Sequence, residues 1–211
     1  LKIEQIGESD KDLDWYNQNV LLVKMTIGVF YIFIGFFILF EGLEILKDRR
    51  REGYRKLRLL SMPRWMVNLS ELLSLVVAGL LITLPLVLVT GVNRGAFAYV
   101  LLISIYYVMG MAALVYLILH LITKDDLYLL TGTSFILGTG IVSGSFFAVD
   151  YSLAVTRLLA KIFPVFYSVN AYFDKGYIRE YSIYTLLYTA GLFGLCLIID
   201  KRTQGVRHES V

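Results

Sequence analysis

Glu71 is the one acidic residue set well inside an apolar run of this chain, about one turn past the start of that run. A carboxylate there is costly to bury, and intramembrane acids often serve ion or proton paths. One so close to a helix start can also snorkel to the headgroups. His120 stands near Lys124, Asp125 and Asp126 and could in principle hold a metal or pass a proton. A lone imidazole without a second ligand is more often an interface residue. Cys196 is the only cysteine and lies in an apolar run, so a disulfide scaffold is excluded. The sequence contains no Gly-rich phosphate loop, nucleophile–base pair or paired metal ligands. No catalytic, cofactor-binding or metal residue is therefore assigned.

Two polar stretches and one small-residue run carry the remaining signal. Residues 48–65 are strongly basic; Gly53 breaks the basic run, and 54–62 reads as a short helix ended by Pro63. Leu57, Leu60 and Tyr54 share one face at helical spacing, with Arg55, Lys56 and Arg58 spread over the rest. Such a helix can lie on anionic headgroups or dock into a partner's groove. Residues 150–181 are too charged to span a bilayer, yet Val155, Leu158, Leu159, Ile162, Phe163 and Phe166 recur at helical spacing, with Pro164 near the middle. Tyr167, Tyr172, Tyr177, Tyr181, Tyr184 and Tyr188 follow as a candidate aromatic belt. A hairpin dipping into the outer leaflet and a plain amphipathic linker both fit this pattern. Gly138, Gly140 and Gly144 sit in a run of Gly, Ser and Thr where small residues four apart permit close helix approach; a pore-lining face is the second reading.

The elements that must position these groups are apolar runs of bilayer length. Of 211 residues, 57% are apolar and only 18% charged, against roughly 45–50% and about 25% in soluble domains, and mean hydropathy is +0.68. The expected fold is an all-α polytopic membrane protein with five spans near 20–40, 66–92, 96–122, 127–149 and 182–199. Twelve of the 20 Lys and Arg fall on one side if these spans alternate: Lys47, Arg49, Arg50, Arg51, Arg55, Lys56, Arg58, Arg64, Lys124, Lys201, Arg202 and Arg207. The positive-inside rule places that side in the cytoplasm. Residues 1–19, with Glu4, Glu8, Asp10, Asp12 and Asp14, then lie outside, and the 201–211 tail inside. An external acidic start with no signal peptide predicts a further span upstream of Leu1. The +3 net charge resides between the spans rather than on a nucleic-acid-binding face.

This order of elements resembles the permease subunits of type-2 ATP-binding cassette exporters. The family has six helices, a cytoplasmic coupling helix between the second and third, and a re-entrant amphipathic segment after the fifth. Arg51-Glu52-Gly53-Tyr54, then Leu59-Leu60-Ser61-Met62-Pro63, stand where the coupling motif would be. Gly140 to Gly144, Phe146-Phe147, the apolar 158–163 segment, Pro164, Tyr167 and Ala171 follow the later pattern. The likeness covers about residues 20–200. It implies a permease domain over that range, with Glu52, Gly53, Tyr54, Arg55, Leu57, Leu60, Ser61 and Pro63 coupling to a partner ATPase across a 44–65 loop. Phe146, Phe147, Phe163, Pro164 and Tyr167 would belong to an external hairpin, 150–181. The implied partners are cytoplasmic ATPase subunits holding ATP and Mg, a second permease subunit and membrane lipid, in a bacterial plasma membrane. The cargo would be amphipathic: a peptide, lipid, drug or glycan. Two departures stand out. Tyr54, Arg55 and Lys56 replace the family's Thr and Glu, and Glu71 replaces a Lys common at the next span's start. The rival reading is a non-transport membrane module, such as a sensor, immunity or assembly protein.

Overall fold

The computed structural model of the chain describes residues 10–50, 63–93, 97–146 and 154–208. All of its regular structure there is helical. The helices are α1 (Asp10–Asp48), α2 (Arg64–Asn93), α3 (Phe97–Leu121), α4 (Asp125–Val142), α5 (Ala154–Ala160), α6 (Pro164–Phe173) and α7 (Tyr177–His208). Four of them contain stretches long and apolar enough to cross a membrane: Leu22–Asp48, Trp65–Val89, Phe97–Leu121 and Tyr177–Asp200.

α3 is the axis of the bundle. It packs on α1, α2, α4, α6 and α7, and 67% of its span is buried against 11% of the α7 span. α1 continues past the expected 20–40 span because Leu43 and Leu46 keep a buried face, while Glu44 and Lys47 pair at 2.6 Å on the exposed one. α7 likewise runs beyond the expected 182–199 span, reaching His208.

The expected fourth span is shorter than 127–149. α4 has 18 residues, about 27 Å at 1.5 Å per residue, and it begins with Asp125 and Asp126. Its end is chemically specified. Gly144 adopts φ 74°, while its N–H bonds to the Ile141 carbonyl at 3.2 Å and that of Ser145 to the Gly140 carbonyl at 2.9 Å. This paired-bond stop needs a left-handed residue, which Gly supplies without steric cost.

α1 and α4 run antiparallel in a regular register built on missing side chains. Gly28, Gly35 and Gly42 recur every seventh residue of α1 and face Ser145, Ile136 with Tyr107, and Tyr128 respectively. In return, Leu39 fits over Gly132 and Ile32 over Gly140. Lipid tails are as apolar as Leu, so close backbone approach rather than apolar burial holds such helices together. The hollows at Gly35 and Gly42 also admit phenols: Tyr107 donates to the Tyr31 carbonyl, and Tyr128 to the Leu39 carbonyl at 3.1 Å.

Residues 161–163 form the turn that links α5, packed on α4, to α6. Pro164 opens α6 at the first helical position, where its missing N–H costs nothing. α6 lies along α3, with Pro164 in the hollow at Gly110 and Tyr99 donating to the Ala171 carbonyl at 2.5 Å. Those two points are about 16 Å apart along α3.

Candidate functional site beside the basic loop

The 51–62 segment lies outside the described residues, and with it Glu52, Gly53, Tyr54, Arg55, Leu57, Leu60 and Ser61. Its two borders are described, and each is tied into the bundle. α1 ends at Asp48 and leaves Arg49 and Arg50 at the mouth of the loop. Pro63, exposed, precedes α2 and accepts a 2.9 Å bond from the Met66 N–H.

Arg49 turns inward. Its Nε donates to Glu71 Oε1 at 3.0 Å and its Nη2 to Oε2, forming a two-pronged ion pair between the end of α1 and the first turns of α2. The side chains are only 15% and 7% exposed. The Tyr116 hydroxyl, from α3, donates to the same carboxylate at 3.2 Å, and the guanidinium lies 5.9 Å above the Tyr116 ring. A fork-shaped guanidinium matches a carboxylate in this way where a lysine could not. Glu71 is thus enclosed by Arg49 and Tyr116 rather than exposed at the protein surface. It is a partnered core charge.

Arg50 turns the other way. It grips the Asp125 carboxylate at 2.7 and 3.3 Å and the Thr123 carbonyl, on the link between α3 and α4. Two consecutive arginines thus staple the start of the loop to two different parts of the bundle.

A second group adjoins the first. His120, one turn beyond Tyr116 on α3, stacks edge-on against that ring at 4.4 Å, with Nδ1 2.9 Å from the Tyr116 carbonyl. Its Nε2 is 3.7 Å from Asp200 Oδ1 on α7. Asn68, 3% exposed on α2, donates to Asp200 Oδ2 at 2.6 Å. His120 lies at the interface of α3 with α7, where it shares Asp200 with Asn68 of α2. The signal in sequence was the presence of polar residues at the same end of three apolar runs, but nothing local pairs Asn68 with a residue 132 positions away.

The residues expected in the external hairpin gather elsewhere. The ring of Phe163 is half-buried, 6.4 Å from that of Phe135 on α4. Pro164 and Phe166 are buried. Tyr167 stacks on Tyr184 at 4.4 Å and on Tyr181 at 5.6 Å, and Tyr184 on Tyr188 at 5.1 Å. Tyr181, Tyr184 and Tyr188 follow one another along α7, with Tyr167 of α6 stacked on the first two and Tyr188 beside the Gly110 hollow of α3. Phe146 folds back over Gly140; Phe147 lies outside the described residues. Gly138 faces open space, so of the three glycines singled out in this run Gly140 packs, Gly144 stops the helix and Gly138 does neither.

An all-helical bundle with four membrane-length apolar helices, tied by buried charge beside a basic loop, defines a polytopic membrane protein. Residues 3–199 match the family model described as ABC-2 family transporter protein, and the chain belongs to that family. It is a membrane permease of an ATP-binding cassette transporter, a class of transport subunit that associates with ABC ATPases. Nothing among curated proteins or solved structures matches it.

Proposed function

We propose that the chain is an exporter permease whose 51–62 segment docks a separate cytoplasmic ATPase and passes its nucleotide-driven motion to the helices. The observation that carries this reading is the double staple at Arg49 and Arg50. A displacement of the loop cannot be absorbed at its start, because one arginine is held by α2 and the next by the α3–α4 link. Coupling requires that the docked segment interact differently with the two ATPase states, and a stiff attachment converts that difference into helix movement.

In this reading α4 crosses as a fifth span, since about 27 Å approaches the ~30 Å hydrocarbon thickness. α5 and α6 form a re-entrant hairpin entered from outside. The 16 Å between the Tyr99 and Gly110 levels of α3 is about half that thickness, which supports a turn near mid-membrane. The basic loop and the C-terminus face the cytoplasm of a bacterial cell, and residues 1–19 lie outside. Two such units, identical or related, pair around a path for amphipathic cargo, and ATP with Mg is held by the ATPases. Affinity purification from native membranes tests the reading: an ABC ATPase should come down with the intact chain and be lost when 54–62 is replaced by a Gly/Ser linker.

A further inference from the structure

We propose that α7 is the output lever of the bundle, carrying displacement from the basic-loop end to the α5–α6 turn. The argument starts from which helix is attached at both places and is also free to move. α7 is tied at its loop end by Asp200, which accepts from Asn68 of α2 at 2.6 Å and faces His120 of α3 at 3.7 Å. Sixteen residues earlier, about 24 Å along the helix, the Tyr184 hydroxyl donates to the Ile162 carbonyl at 2.5 Å, inside the turn between α5 and α6. Around it Tyr167 of α6 stacks on Tyr184 and Tyr181, and Ser168 pairs with the Tyr181 hydroxyl at 2.7 Å.

α3 also reaches both regions, through Tyr116 and His120 near one end and the Gly110 hollow at its middle. It is hemmed in by five helices, however, so shifting it means repacking a close-packed core. α7 packs mainly on α3 and α6, and with 11% of its span buried it is the least enclosed of the four membrane-length helices. Asn68 stands in the first turns of α2, immediately after the loop, so a pull on the loop reaches Asp200 through one hydrogen bond. Asn68 and Asp200 are positioning residues in this scheme, acting on the hairpin only through α7. Their role in transport rests on the permease reading above; the tie between the two ends does not.

The test needs no ATPase and so separates the two claims. In a Cys196→Ser background, Ile162→Cys is labelled in native membranes with a membrane-permeant maleimide, which also reaches thiols set within the bilayer. Ile162 is exposed on the hairpin turn. Asn68→Asp sets a second carboxylate against Asp200 and should change the labelling rate about fivefold or more, the low end of site-to-site coupling. Adding Asp200→Asn restores an amide–carboxylate pair with the roles exchanged and should return the rate towards the parent value. Arg50→Ala, which cuts the tie to the α3–α4 link and not to α7, should leave it unchanged. If Asn68→Asp fails to insert, Asp200→Leu cuts the same tie without adding charge and carries the same expectation. An unchanged rate, a swap that does not restore it, or an equal effect of Arg50→Ala would overturn the lever.

Discussion

Arg49 and Glu71, residues 22 positions apart, tie the end of α1 to α2 with two hydrogen bonds, Nε to Oε1 and Nη2 to Oε2. Both side chains are largely buried, so neither charge can return to water when the other is removed. Glu71→Leu or Arg49→Leu alone should each cost about 3–5 kcal/mol, because each leaves an uncompensated charge. The double Leu variant should cost clearly less than the sum, since no orphan remains. Thermal unfolding of the purified protein in detergent checks both; additive losses would show that the pair is not coupled.

The glycines divide into two classes with opposite responses. An added Cβ at Gly110 would come to 2.8 Å from Pro164 Cγ, and one at Gly79 to 2.7 Å from Val108 Cγ1. Ala at either position should destabilise by about 1–3 kcal/mol through overpacking. Gly138 has nothing within 4 Å, so Gly138→Ala should be neutral or stabilising by up to about 1 kcal/mol, the helix-propensity gain. Gly144→Ala should cost about 1–2 kcal/mol from its left-handed conformation alone. The same melting assay ranks all four, and a destabilising Gly138→Ala would reveal a partner on that face.

Much of this fold was legible in the chain because a bilayer admits so few solutions. Apolar runs of 18 residues or more located all four membrane-length helices and α4, and Pro164 marked the break before α6. Helix ends were less legible where amphipathic residues continue a helix beyond its apolar stretch, as Glu44 and Lys47 do in α1. Gly144 was read as a packing residue beside Gly140, since spacing alone does not distinguish a helix stop from a helix contact. The heptad of Gly28, Gly35 and Gly42 went unread; its period was visible, but its meaning depends on which helix lies opposite. Glu71 was visible as an anomaly. Its resolution by Arg49, and that of His120 by Asp200, are tertiary pairings no local pattern encodes.

The topology predicts opposite exposure for two lysines. Lys124, beside the Asp125 that holds Arg50, should face the cytoplasm. Lys175, with its ammonium 5.8 Å from the Tyr99 ring, should face outside. Single cysteines at these positions, in a background lacking Cys196, report this directly. In intact cells an impermeant reagent should label Lys175→Cys and reach Lys124→Cys only after permeabilisation. The reverse pattern would invert the orientation deduced from the positive charges.

The central claim is that the loop is an ATPase dock, and its leucine face distinguishes this from a headgroup-binding helix. Burial of Leu57 and Leu60 in a protein groove should contribute roughly 1–3 kcal/mol each, whereas headgroup binding should depend on the basic residues at about 1 kcal/mol per charge. The decisive measurement is recovery of the ATPase with the affinity-purified chain, comparing Leu57→Ala/Leu60→Ala with Arg55→Gln/Lys56→Gln/Arg58→Gln at equal membrane insertion. The account predicts that the leucine variant loses the ATPase while the charge variant retains most of it, with a salt-dependent deficit. Full ATPase recovery with the leucine variant, together with loss of loop–membrane association in the charge variant, would contradict it.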